Sequence, residues 1–220
     1  MPRRAAAGDQ LPKIVERLQK AYPNPRVELD FATPLQLLVA SILAARCRDT
    51  VVNQVTPALF ARFPDARAFA TAKLTDIENL VLKIPACRIK ARAIQECCKI
   101  IVERFGGEVP RNIDDLVTLP RVGRKTANMV ITQAYSRPSG FVVDTHVERV
   151  TQRLGLTKEK KGEKIEAELL KRLPEKEWIH FGAALVLHGR YVCTAVNPKC
   201  PECVLNDLCP KIGVKASKKS

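Results

Sequence analysis

Four cysteines fall close together in the run CTAVNPKCPECVLNDLC: Cys193, Cys200, Cys203 and Cys209, spaced C-x6-C-x2-C-x5-C. Four thiolates this near along a chain can wrap one metal centre. Zinc usually takes two separated cysteine pairs, often with strands between them. This run has one C-x2-C pair flanked by single cysteines, a pattern that favours an iron–sulfur cluster held by four thiolates. A single zinc ion stays open as the alternative on spacing alone. The N-terminus carries no apolar targeting region, so the expected compartment is the cytosol, where disulfides are rare. The remaining cysteines, Cys47, Cys87, Cys97 and Cys98, are scattered, and Cys97 and Cys98 sit in an amphipathic run that makes them core residues.

A second stretch with chemistry in it is LPRVGRKTANMV, residues 119–130. It reads as a tight turn opening directly onto a helix. Pro120 fixes one turn dihedral, and Gly123 permits a close or left-handed backbone. The first-turn N–H groups of the following helix point outward at the positive end of its dipole, which makes a ready phosphate site. Arg121, Arg124 and Lys125 add charge around it. The plain alternative is a helix–helix corner with solvated cations. Farther on, Asp144 ends an apolar run and precedes THVERVTQRL, whose Val147, Val150 and Leu154 recur at helical spacing. Asp144 is therefore an expected N-cap.

Helices must position these groups. RIKARAIQECCKIIVERF sets Ile94, Cys97, Cys98, Ile101 and Phe105 on one face, and Gly106 and Gly107 stop it. TPLQ at Thr33 and TDIE at Thr75 are capping-box patterns. EKIEAELLKRL repeats Ile165, Leu169 and Leu173, and EWIHFGAALVLHGRY is apolar nearly all round, as a buried helix is. The best strand signal is the short GFVV at 140–143. The expected fold class is all-α. The 220 residues carry a net charge of +14; the four lysines of 211–220 and the one surplus cation of 1–10 leave +9 on residues 11–210. A folded body this basic suits a polyanion, and nucleic acid is the commonest. The longest apolar stretch, residues 37–45, is too short to span a bilayer, so no membrane is expected.

Taken together, LPRVGRKTANMV, VVDTH, LHGRYVC and the four-cysteine loop resemble endonuclease III, a base-excision-repair DNA glycosylase family of the helix–hairpin–helix superfamily. The resemblance runs from about residue 11 to residue 210. It implies a two-lobed helix–hairpin–helix glycosylase fold: one lobe over residues 30–135, a second over 11–29 and 136–210 with a [4Fe–4S] loop, a basic tail at 1–10 and a disordered lysine-rich tail at 211–220. It implies double-stranded DNA with damaged bases or abasic sites as partner, and a cytoplasmic, nucleoid-associated monomer. Lys125 matches the family's catalytic lysine, whose amine attacks the sugar and forms a Schiff base, and Asp144 matches its catalytic aspartate. The neighbouring cations Arg121 and Arg124 and the helix terminus would favour the neutral amine. Arg121, Val122, Gly123, Arg124 and Thr126 would grip the phosphates, with Arg190 and Lys199 facing the backbone, and Cys193, Cys200, Cys203 and Cys209 would ligate the cluster.

The sequence departs from the family pattern at Arg121, at Arg46, at Ala86 with its neighbours Pro85 and Cys87, and in the cysteine loop, where only Lys199 stands as a cation between the first two cysteines. Arg121 stands where a glycine is usual and, at positive φ, would be strained by about 1 kcal/mol. Arg46 stands where a glutamine fills the gap left by the flipped base. Ala86 stands where a leucine wedges the stack, and an alanine wedge is a poor one. The expected function is a bifunctional glycosylase and abasic-site lyase that removes oxidised pyrimidines, with altered lesion preference or efficiency. The alternatives are a monofunctional mismatch glycosylase and a non-catalytic damage-binding module. His146 has no expected role, and His180 and His188 are expected as satisfied core histidines.

Overall fold

The computed structural model describes residues 10–140 and 142–214. Among them the chain forms eleven α-helices and one 3-10 turn and no strand. GFVV does not form a strand, because residues 140, 142 and 143 have no neighbouring strand to pair with. The chain divides into two compact units, residues 27–139 and residues 10–26 with 140–214.

The first unit holds α2 (Pro34–Ala44), α3 (Asp49–Arg62), α4 (Ala66–Thr71), α5 (Leu74–Leu80), α6 (Cys87–Phe105), α7 (Ile113–Leu116) and α8 (Arg124–Ala134). The seven residues Leu37–Leu43 of α2 are all buried, so this helix is sheathed by the others. Thr33 caps it, accepting from Gln36 N. Gln36 Oε1 reaches back one residue farther than the sequence pattern suggests, to Ala32 N at 2.7 Å. Thr75 does not cap α5; the cap is Lys73. The earlier start carries Leu74 into the helix one turn ahead of buried Ile77, on the same side, and apolar packing outweighs the cap there. Long α6 lays Ile94, Cys97, Cys98 and Ile101 into the core, and Gly106, left-handed at φ 64°, ends it. Phe105 ends half-buried with the Arg104 guanidinium over its ring.

The second unit holds α1 (Leu11–Ala21), α9 (Thr145–Arg153), α10 (Gly162–Leu170) and α11 (Glu175–Tyr191). From Glu177 to Arg190 no residue of α11 is exposed. A Cβ added at Gly189 would meet His146 Cβ at 2.8 Å and His146 O at 3.0 Å, so only glycine lets α11 approach α9 this closely. The chain stays ordered past residue 210: Ile212 N donates to Arg153 O at 3.2 Å. Residues 1–9 and 215–220 of the expected tails lie outside the described residues.

Candidate functional site

In the first unit, three turns carry the candidate DNA-contacting residues, and α6 touches all three. Cys47 N donates to Ala44 O at 2.9 Å, closing a four-residue turn. Ala45 has φ −56° and ψ 111°, and Arg46 has φ 56°. That is the type II turn, whose third residue must be left-handed and is normally Gly or Asn. The hairpin turn repeats the geometry: Val122 N donates to Leu119 O at 3.1 Å, Pro120 takes the second position, and Arg121 has φ 60° at the third. Ala86, the N-cap of α6, is also left-handed at φ 56°. Arg46, Ala86 and Arg121, three of the positions at which the sequence departs from the family pattern, are thus exposed, non-glycine, left-handed residues. Each is strained by about 1–2 kcal/mol.

Two side chains of α6 bond the middle carbonyls of the two type II turns. Lys90, almost fully buried, donates from Nζ to Ala45 O at 2.7 Å and to Leu43 O at 2.8 Å. Cys97 Sγ donates to Pro120 O at 3.1 Å. Burial pulls the Lys90 ammonium below the ordinary lysine value, the charge of Cys47 opposes that pull, and the Arg121 charge reinforces it. Lys90 is a functional candidate that motif reading misses. Its signal was in the sequence: a lysine four residues before Ile94, on the apolar stripe of α6.

Past the hairpin turn, Gly123 caps α8 with an extended backbone at φ −87°. It is not left-handed, and a Cβ built on it would meet nothing within 4 Å. Neither conformation nor internal packing requires glycine here, and the bare backbone of this N-cap is open to close approach from outside. Arg121, Arg124 and Lys125 are exposed and Thr126 is half-buried. Val122 differs from its expected role: its side chain is buried and its N–H is spent on Leu119 O, so it has no donor for a phosphate. Ala127, Val130 and Ile131 anchor α8 in the core.

In the second unit, Asp144 caps α9, with Oδ1 accepting from His146 N and Val147 N, both at 2.9 Å. Capping falls on one oxygen only. At the other end of α9, Arg153 is buried and its guanidinium gathers the cysteine loop. It donates to Thr194 O at 2.7 Å, to Ala195 O at 3.0 Å and to Cys193 Sγ at 3.4 Å. Arg149 donates to Cys193 O at 2.9 Å and to Gly189 O at 2.6 Å. Arg17 of α1 forks onto Asp207, whose carboxyl it holds below the usual carboxylate range. Arg190 is half-buried and Lys199 exposed.

All four cysteines of the loop line one pocket with about 380 Å³ of empty space, mouth included, together with His188, Arg153 and Asn206. Leu205 N donates to Cys203 Sγ at 3.4 Å and Lys211 N to Cys209 Sγ at 3.3 Å, the kind of donors that thiolate sulfurs need. Burial pushes the Cys203 and Cys209 thiols up, and the charges of the other loop cysteines push both further. Among the described residues no three ligating side chains lie close enough for a single metal ion. Four cysteines lining one pocket, two of their sulfurs accepting from backbone N–H groups, are a donor set that suits a polynuclear cluster. His188 is buried and satisfied, with Nδ1 3.2 Å from Tyr22 Oη and Nε2 3.4 Å from Cys203 Sγ. It therefore does lie beside a cysteine, although sequence spacing gave no hint of it. Burial lowers its pKa to about 4. The expectation for His180 fails at one atom: Nδ1 is buried without a hydrogen-bond partner among the described residues.

Residues 39–175 match the model of the HhH-GPD superfamily base excision DNA repair proteins. Residues 193–209 match the iron–sulfur binding domain of endonuclease III. The chain is 49% identical to the endonuclease III of Synechocystis sp. over 90% of each chain. It is 39% identical to that of Bacillus subtilis over 96% of this chain and 95% of the other. A solved structure described as a trapped endonuclease III–DNA covalent intermediate is 38% identical, with a TM-score of 0.87 over 93% of this chain and 96% of that one. The chain belongs to the endonuclease III family. It is a DNA N-glycosylase and abasic-site lyase of base excision repair, and its four-cysteine loop carries a [4Fe–4S] cluster.

Proposed function

We propose that the protein excises oxidised pyrimidines from double-stranded DNA through Lys125 and then nicks the strand. The neutral Lys125 amine attacks the sugar's anomeric carbon, and the N-glycosidic bond breaks with its electron pair leaving on the base. The added nitrogen, now an ammonium, gives one proton to the departing base; its lone pair then expels the ring oxygen, which takes up a proton, and the cationic, protonated Schiff base forms. That cationic link acidifies the adjacent C2′ proton. Its removal expels the 3′ phosphate by β-elimination, and water then frees the lysine. Asp144 stabilises the positive charge that develops on the sugar through the carboxylate oxygen that capping leaves available.

Gly123 carries the reading. A glycine that its own protein does not require, at the mouth of a helix flanked by exposed Arg121 and Lys125, leaves room for a DNA phosphate against bare backbone. Arg46 fills the space vacated by the flipped base, since Ala86 is too short to wedge it. Lys199 and Arg190 contact the backbone from the cysteine loop. When bound, the [4Fe–4S] cluster supplies a four-point cross-link and a one-electron redox centre; Cys193, Cys200, Cys203 and Cys209 hold it. The protein acts as a monomer, on the DNA of the cytoplasm.

The test is borohydride trapping on duplexes containing thymine glycol, dihydrouracil or an abasic site. A covalent adduct that disappears in Lys125→Ala is the expected result. No adduct with the unaltered protein, or an undiminished adduct in Lys125→Ala, removes Lys125 as the nucleophile.

A further inference from the structure

We propose that Lys90 is a positioning residue for damage recognition: its buried ammonium selects the backbone state that presents Arg46. The inference rests on Arg46 entering the vacated space. A type I and a type II turn differ by a flip of their middle peptide, which reverses the direction of the second residue's carbonyl and the sign of φ at the third. In the turn 44–47 that carbonyl is Ala45 O, and Lys90 Nζ bonds it at 2.7 Å. The same ammonium bonds Leu43 O at 2.8 Å, so it spans the end of α2 and the turn that follows. Without it, the middle peptide is free to flip, Arg46 escapes its left-handed φ of 56°, and its side chain is re-aimed.

A lysine is an unlikely choice for packing alone. Burying an ammonium is unfavourable unless its bonds are specific, and a leucine or methionine would fill the space without that penalty. The Lys90 bonds end on Leu43 and Ala45, within the three residues that lead into Arg46, not on scattered acceptors. Arg46 itself is a strained residue at an exposed tip, and such strain persists only where the surroundings over-determine it. Lys90 is the group that does so here.

The experiment compares single-turnover excision of thymine glycol with borohydride trapping on a duplex bearing a preformed abasic site. It uses the cluster-loaded full chain, Lys90→Met, Arg46→Ala and the double variant. The expected result is that Lys90→Met and Arg46→Ala each lower the ratio of excision to trapping about tenfold, and that the double variant is no worse than the poorer single one. Non-additivity of this kind marks two residues acting as one unit. Multiplying losses in the double variant, or an unchanged ratio in Lys90→Met beside a lowered one in Arg46→Ala, overturns the role of Lys90. An unchanged ratio in Arg46→Ala overturns the reading of Arg46 and the inference with it. Should Lys90→Met fail to fold, Lys90→Gln decides: its amide can donate to one carbonyl, so an intermediate ratio supports the proposal and an unchanged one overturns it.

Discussion

Arg121→Gly separates what the hairpin turn does for the fold from what it does for DNA. At φ 60° an arginine is strained by about 1–2 kcal/mol, and glycine removes that strain. Glycine also gives the unfolded chain more freedom, which offsets about 0.4–1 kcal/mol. Pro120 before it makes Pro-Gly, the preferred pair for the middle of a type II turn. The Arg121 charge acts against the buried Lys90 ammonium, so its removal adds a small stabilising increment. The net expectation is a gain of about 0.5–1.5 kcal/mol, or roughly 1–6 °C in melting temperature for a chain of this size. Binding should move the other way. If Arg121 meets one phosphate, the slope of log affinity against log salt should shrink by about 0.9. Urea unfolding at matched cluster content and a salt titration on abasic duplex measure the two. A variant destabilised by more than about 1 kcal/mol would refute the strain argument, and an unchanged salt slope would refute the phosphate contact.

Gly189→Ala should destabilise the second unit by about 1–3 kcal/mol, because its Cβ meets the His146 backbone oxygen at 3.0 Å and α9 must shift; chemical denaturation measures it. Arg153→Met should release the carbonyls of Thr194 and Ala195 and lower cluster content, read as visible absorbance per protein. Asp144→Asn should keep α9 capped while slowing excision by a hundredfold or more, because a neutral amide stabilises a cationic sugar poorly; single-turnover rates on thymine glycol check it. Burial pushes the Cys97 thiol up to about 12, so native protein at pH 8 should be alkylated at half-buried Cys47 and Cys87 before Cys97, as peptide mass mapping would reveal. The same shift has a stability sign. The folded value lies above the ordinary 9.0, so the unfolded thiol loses its proton first and stability falls as pH rises from about 9 toward 12.

The chemistry-bearing groups were more legible in the sequence than the parts that aim them. Asp144 declared itself by an apolar run before it and a helical repeat after it, and it caps α9 as expected. The stripe of Ile94, Cys97, Cys98 and Ile101 gave α6 its buried face. Thr75 misled because a capping box weighs about 1 kcal/mol, and burying Leu74 beside Ile77 outweighs it. Arg121 carries the positive φ at which strain was expected, while Gly123, expected to allow a close or left-handed backbone, is extended. Turn type depends on which carbonyl finds a donor, and those donors, Lys90 and Cys97, lie 45 residues after Ala45 and 23 before Pro120. No local pattern encodes such pairings, and the contacts of His188 with Tyr22 and Cys203 escaped notice for the same reason.

Helix α6 acts as a shared mount for Arg46, Ala86 and Arg121. A mount of this kind separates inheritance of the scaffold from drift at its tips. Residues at the tips can be exchanged one by one without repacking the interior, since their strain is carried by bonds made elsewhere. Under the proposed function, an exchange at one tip alters what meets the DNA while the interior of this unit keeps its packing.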